Sequence, residues 1–375
     1  MFNLWAGLEV GLGIDLGTSN TVIYQKGKGI VLREPSVVAV NTKTGTIEAC
    51  GEQAYAMIGR TPQNIEVVHP LHNGVVASHE LTLAMLNRFI RNVLGKRKWF
   101  VRTRTVVSIP DGVTNVNKRA VEETILYKNP QKSITVEEPV AAAIGAGLPF
   151  YEPVGSMLID IGGGLIQTAI VSLGGIVVSH TAQKGGNSID RTISEYVKKC
   201  YNLVIGERTA EMIKQKIGTA VPPEREQRLE VRGNDLVLGL PRTVVLSSAE
   251  IYELLDDFIL TLLDAIRFTL ERCPPELAGD VMERGILLCG GGSLLNGLDQ
   301  RLKKETGIPF HKADNPLECV AIGLGKLMSL QQGSARSARK RLWPEPSPDW
   351  NEQPEKGEFA NGQMEALHEK PMAKA

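Results

Sequence analysis

The chain has 375 residues, 42% of them apolar, which is enough for a large core and two domains or lobes. Its 42 lysines and arginines balance 42 aspartates and glutamates, so net charge gives no pull toward nucleic acid; basic character is local, at 96–104 and 336–341. Five cysteines, an odd number with no CxxC pair, suit a reducing cytosol better than a disulfide framework.

The opening MFNLWAGLEVGLGIDLG has no basic n-region and runs directly into a strand, which argues against a signal peptide. No uninterrupted apolar run approaches the roughly 18 residues of a spanning helix. Strands are predicted over 11–24 and 29–40, with turns at Gly17 and at Gly27–Gly29. Over 79–94, Leu81, Ala84, Met85, Phe89, Ile90 and Val93 fall on one helical stripe, with Ser78 as N-cap. The stretch KRKWFVRTR (96–104) precedes a strand at 105–109 that ends at Pro110, and a helix is expected at 117–127.

A second run of strands is predicted at 155–161 and 165–181, followed by helices at 188–201 and 207–217. The longest helix is expected at 249–272, where Ile251, Leu254, Leu255, Phe258, Leu262, Ile266 and Leu270 share a face. Ser247 with Glu250 offers a capping box at its start, and Pro274–Pro275 stops it. A strand at 285–289 leads through glycines to a helix near 294–304. From 331 to 375 Pro, Ser, Glu and Lys accumulate without apolar periodicity, the composition of a disordered tail. Strands flanked by helices in this order make the fold class α/β.

Two segments repeat each other: GLGIDLGTSNT (11–21) and SMLIDIGGGLIQT (156–168). Each is an apolar strand, an aspartate, one apolar residue, a glycine turn and a resumed strand, as a duplicated domain would give. Glycine at a tight hairpin lets backbone N–H groups approach an anion, and Thr18 and Ser19 add hydroxyl donors. Asp15 and Asp160, each just before its turn, could hold the water shell of a magnesium ion. A single Asp-x-Gly turn is weak; the pair, gripping a polyphosphate from two sides, is stronger. GILLCGGGSLLNGL (285–298) adds a third glycine turn suited to a nucleoside or phosphate, and no GxxxxGK[ST] P-loop occurs.

These three turns resemble the actin, sugar kinase and DnaK-type chaperone superfamily. Within it, KGKGIVLREPSVVAV (26–40), VEEPVAAAIGAGLP (136–149), SLGGIV (172–177) and IGERTAEMIKQKIG (205–218) resemble MreB, the bacterial actin-like rod shape-determining family, from about residue 10 to 330. The resemblance implies a two-lobed actin-like ATPase fold with duplicated core domains, ATP and Mg2+ in the cleft, and assembly into filaments. The first lobe would span 1–147, with a small subdomain near 32–68. The second would span 148–330, with a small subdomain near 182–246, and the tail 331–375 would follow. In the family's manner the filaments would be cytoplasmic, lie under the inner face of the membrane and position the cell-wall elongation machinery, with no nucleic-acid partner.

By position, the resemblance puts Asp15, Gly17, Thr18, Ser19 and Asn20 in the first phosphate hairpin, and Asp160, Gly162, Gly163 and Gly164 in the second. Gly290, Gly291, Gly292 and Ser293 would back the adenosine, Glu211 and Lys214 would flank base and ribose, and Gly185 and Gly186 would turn near the phosphates. Glu138 matches the residue that positions the attacking water. Its neighbour Glu137 stands as an alternative, and a carboxylate in a first helical turn also has a purely structural use. A surface ion pair between Glu211 and Lys214, three apart on a helix, is the weaker alternative to the nucleotide reading. His69 and His72 have a spacing that invites a metal but no third ligand nearby, and Cys289 reads as a small apolar core residue.

The sequence departs from the family after DIGGG, where Leu165, Ile166 and Gln167 replace hydroxyl and acidic residues, and at Asn187, often Asp. Backbone donors survive that change, but side chains that orient water do not, so slow hydrolysis is expected. KRKWFVRTR lies where the family carries a membrane-insertion loop: lipid phosphates would neutralise its charges while Trp99 and Phe100 enter the interface. A loop packed against a neighbouring lobe is the alternative. A sugar-kinase-like phosphotransferase or a chaperone-type ATPase on the same core are the rival functions. The first lacks an evident acceptor site and the second lacks a peptide-binding domain.

Overall fold

A computed structural model describes residues 9–95, 102–112, 114, 119, 121 and 133–333. Two five-stranded sheets organise it. In the first, the order is Ser133–Glu137, Arg102–Ile109, Glu9–Leu16, Asn20–Gln25 and Gly29–Pro35. The second runs Phe310–Lys312, Ile286–Cys289, Ser156–Ile161, Ile166–Ser172 and Gly175–Ala182. In each, three strands pair in parallel and the remainder form an antiparallel meander. The repeat seen in the sequence is thus a repeat of sheet plan, down to register: Asp15 faces Val22 and Asp160 faces Gln167 across their hairpins.

Each sheet has its own core. Leu12, Ile14 and Ile23 of the first pack with Met85 and Phe89 from the helix His79–Leu94. Ile159, Ile161 and Ile170 of the second pack with Phe258, Leu262 and Ile266 from Asp256–Glu271. All six residues of Ser156–Ile161 are buried, which is why that strand reads as a continuous apolar run rather than an alternation. The helices Glu138–Ala146 and Cys319–Gly333 cross where neither tolerates a side chain: a Cβ on Gly145 would lie 1.8 Å from the Cys319 carbonyl oxygen, and one on Gly323 1.8 Å from that of Ala141. Among the described residues there are also two three-stranded sheets, Ile47–Cys50, Val38–Asn41 and Ile65–Val68, and Leu203–Val204, Arg228–Asp235 and Pro241–Ser247, and a two-stranded one, Leu71–His72 with Val75–Val76.

Several predicted elements change bounds for identifiable reasons. The strand predicted over 29–40 breaks after Pro35 and resumes at Val38 in a different sheet. The strand predicted over 165–181 is two strands, joined at Leu173 and Gly174 with φ of 51° and 84°, the positive pair a tight hairpin turn requires. The helix predicted over 249–272 is two, Ser248–Leu254 and Asp256–Glu271. The acidic pair Asp256–Asp257 favours a new first turn there, while the Ser247–Glu250 capping box is present as read. In place of a helix near 294–304 stand a 3-10 turn, Gly291–Leu294, and a helix, Leu298–Thr306. Ordered helix continues to Gly333, past the predicted start of the tail, and residues 334–375 lie outside those described. So do Trp99, Phe100 and nearly all of the predicted helix 117–127.

Candidate functional site

The two hairpins face each other across a cleft. In the first, Gly17 N–H donates to Asn20 O (3.1 Å), and Ser36 braces the turn: its hydroxyl donates to Gly17 O (2.7 Å) and its N–H to Ser19 O (2.9 Å). In the second, Gly162 N–H donates to Leu165 O (2.9 Å), while Gly162 and Gly163 carbonyls accept from Gly186 and Asn187 at the start of the helix Gly186–Tyr201. The hairpins touch: Ser19 Oγ donates to Asn187 Oδ1 (3.0 Å), and a Cβ on Gly163 would fall 1.9 Å from Ser19 Oγ. Gly74 N–H donates to Thr18 Oγ1 (2.8 Å), tying a third loop to the same place.

The cleft has a volume of about 770 Å³, ample for a nucleotide-sized ligand. Asp15, Gly17, Thr18, Ser19 and Asn20 line one side; Asp160, Gly162, Gly163, Gly164 and Gly186 the other. Gly290, Gly291, Gly292, Glu211, Lys214 and Glu138 line it too. Gly185 and Ser293 are not on the wall; the Ser293 hydroxyl, fully buried, donates back to Gly290 O (2.7 Å). Glu138 is buried and faces the cleft, whereas Glu137 is exposed and does not. Lys214 pairs with Asp190 Oδ2 (2.7 Å) and donates to Gly186 O (3.0 Å), not to Glu211. Glu211 accepts from the Tyr55 hydroxyl, and His69 Nε2 lies 3.2 Å from Glu207 Oε1, so the helix Glu207–Ile217 is tied to the helix Glu52–Met57 and to the segment just after the strand Ile65–Val68.

Three carboxyls gather in this cleft. Burial, then the charge of Asp160, pushes Asp15 up to about 7, although Ser108 Oγ donates to it at 2.9 Å and favours the charged form. Burial alone raises Asp160 to about 6. Glu138 is held well above the carboxylate range by burial and by Asp15 and Asp160, with a hydrogen bond from Gln167 Nε2 opposing this. Such a set is short of positive charge. No three His, Cys, Asp or Glu among the described residues converge closely enough to chelate an ion directly. The carboxyls therefore suit a divalent cation that keeps its waters and meets them through hydrogen bonds, with backbone N–H groups left for an anion.

Comparison with known families matches the one described as MreB/Mbl protein over residues 9–335. The chain belongs to the MreB/Mbl family. Among its relatives, the cell shape-determining protein Mbl of Bacillus subtilis is 45% identical over 317 residues, 84% of this chain and 95% of the relative. The cell shape-determining protein MreB of Escherichia coli is 46% identical over 323 residues, 85% and 93% of the two chains. Of solved structures, MreB5 of Spiroplasma citri bound to ADP is 35% identical with a TM-score of 0.82, covering 87% of this chain and 99% of its own. The MamK double helical filament, 19% identical with a TM-score of 0.73 over 86% of this chain, shares the fold. The fold is therefore the two-lobed actin-like α/β fold of the MreB/Mbl family.

Against that family pattern, the residues after DIGGG separate by face. Leu165 and Gln167 line the cleft, whereas Ile166 is fully buried in the core of the second sheet. Gln167 bridges: its Oε1 accepts from Asp111 N–H (2.8 Å), which fixes the amide so that Nε2 meets Glu138. Ser108, Tyr55 and Ser36 also shape the site and carry no motif. Strand alternation places Ser108 beside Asp15, but only the parallel pairing of Arg102–Ile109 with Glu9–Leu16 reveals it.

Proposed function

We propose that this cell-shape protein binds ATP with Mg2+ in the cleft and polymerises into actin-like filaments. These would lie at the inner face of the cytoplasmic membrane and position cell-wall elongation machinery. The observation that carries the reading is the pair of facing hairpins, with half-buried Asp15 before one turn and buried Asp160 before the other, and a third glycine turn on the cleft wall. In this reading Gly17–Asn20 and Gly162–Gly164 take the phosphates and Asp15 and Asp160 hold the hydrated metal. Gly290–Gly292 and Glu211 flank the nucleoside, and Lys214 positions the turn at Gly186. Glu138, fixed by Gln167, positions the attacking water. MreB5 of Spiroplasma citri, whose structures are bound to ADP and to AMPPNP, supports an adenine nucleotide. The lobes would divide near residues 147–148, with the nucleotide between them.

Leu165 on the cleft wall offers no hydroxyl to hold water, so hydrolysis would be slow. Binding rather than turnover would then set how long a filament lasts. Sedimentation with ATP, with AMPPNP and without nucleotide, alongside phosphate release with and without sugars, tests this. Pelleting that depends on ATP or AMPPNP and phosphate release indifferent to sugars are expected. Sugar-stimulated turnover without pelleting would point to a phosphotransferase.

A further inference from the structure

Carboxyls crowd the cleft wall, and a polyphosphate would add more negative charge, so any cation on that wall matters. Among the described residues the basic ones there are Arg33, Lys214 and Lys216. Lys214 is engaged by Asp190 Oδ2 and Gly186 O, and Lys216 follows it on the same helix, Glu207–Ile217. Of the three, Arg33 stands on the sheet that carries Asp15.

The register of that sheet places it. Asp15 pairs with Val22, and Val22 with Arg33, in successive antiparallel ladders. The irregularity in the second ladder falls beyond them, between Ile23 and Tyr24. Directly opposed residues share a face, so the three form one row across the sheet, and all three line the cleft. Two strand spacings of about 4.8 Å set the Arg33 and Asp15 backbones roughly 10 Å apart. Val22 between them is buried and has no polar side-chain atom. The next residue, Glu34, takes the opposite face, where its Oε2 accepts from Glu52 N–H (2.7 Å).

The Arg33 guanidinium is held at one point. Nη2 donates to Glu318 Oε1 (2.6 Å), and among the described residues it makes no other hydrogen bond or ion pair. The arginine side chain is 45% exposed. An ion pair so open to water is weak, and most donors of the guanidinium fork are left over. Glu318 directly precedes the helix Cys319–Gly333 and follows Pro316 and Leu317 of the cleft wall. Pro316 O accepts from Gly290 N–H (2.8 Å). The pair therefore joins the cleft face of the first sheet to the segment that braces the third glycine turn.

We infer that Arg33 exchanges Glu318 for the phosphate chain when nucleotide binds, and so favours polyphosphates over the bare nucleoside. A guanidinium can meet two phosphate oxygens at once, whereas Glu318 engages only one of its nitrogens. Glu318 is then a competitor for the arginine. The two halves of one ion pair should act on nucleotide affinity with opposite sign. This inference deepens the nucleotide reading above and rests on it.

The test measures Kd for ATP and, by competition with a fluorescent ATP analogue, for adenosine. It compares the full chain with its Arg33→Gln, Arg33→Lys and Glu318→Gln variants. Arg33→Gln should weaken ATP binding about tenfold and leave adenosine unchanged. Arg33→Lys keeps the charge but loses the fork and should fall between. Glu318→Gln should tighten ATP binding about threefold by freeing the arginine. A parent that binds ATP while Arg33→Gln binds it equally well overturns the inference alone. So does a Glu318→Gln variant that weakens ATP binding, the result a purely structural ion pair gives; this variant decides the matter even if Arg33→Gln does not fold. A parent that binds no ATP overturns the nucleotide reading and this inference with it.

Discussion

Asp15→Asn removes one of three carboxyls crowded in the cleft while keeping an Oδ1 acceptor for Ser108. Asp15 is raised from 3.8 to about 7 by burial and by Asp160. A shift of about three units at 1.36 kcal/mol each bounds the cost of the charged form at about 4 kcal/mol. Asp15 is only half-buried beside a wide cleft, so screening reduces the expected gain on substitution to about 1–2 kcal/mol. Because the folded value lies above the unfolded one, the folded state binds the extra proton between about pH 4 and 7. The parent's stability from this group is complete at low pH, falls through that window and is lost above it. The variant's advantage without nucleotide should accordingly vanish near pH 4 and be full at pH 8, a rise of a few degrees in Tm. Adding ATP with Mg2+ should reverse the order, since the parent alone offers the full carboxylate set. Urea or thermal unfolding followed by circular dichroism at the two pH values, with and without magnesium nucleotide, reads all of this. An Asp15→Asn variant less stable than the parent at pH 8 without nucleotide would refute the reasoning.

Glu138→Gln should leave nucleotide affinity within about twofold and lower phosphate release at least tenfold, measured in single turnover. Leu165→Thr should speed release. Ile166→Thr should not, and should instead cost about 1–3 kcal/mol in urea unfolding by burying a hydroxyl in the core. Lys214→Ala leaves Asp190 without its cation; Asp190 stands at about 6, so the loss should be about 2 kcal/mol at pH 8 and smaller at pH 5, where the carboxyl takes a proton. Trp99→Ser with Phe100→Ser should abolish flotation with anionic vesicles and leave ATP-dependent pelleting intact.

The hairpins are legible because each is local: strand, aspartate, glycine turn and strand lie within a dozen or so residues, and alternation and glycine report them directly. The same holds for the Ser78 cap and the Ser247–Glu250 capping box. What the sequence hides is long-range. Ser108 meets Asp15, Ser19 meets Asn187 and Tyr55 meets Glu211 only through sheet pairing and the approach of separate elements. The break at Leu255 is invisible because the apolar stripe continues through both helices while only the hydrogen bonding changes, Leu255 N–H closing on Tyr252 O (3.2 Å). Leu173 conceals a hairpin turn because a leucine at positive φ is rare. Glu138 can be separated from Glu137 only once burial is known, since the two differ by the face they present and not by residue type.

Electron cryomicroscopy of the protein with AMPPNP and Mg2+ tests the central claim most directly. Protofilaments are expected, each subunit holding polyphosphate between Gly17–Asn20 and Gly162–Gly164 with a metal near Asp15 and Asp160. Single particles with nucleotide bound, or filaments with the nucleotide elsewhere than between the two hairpins, would contradict it.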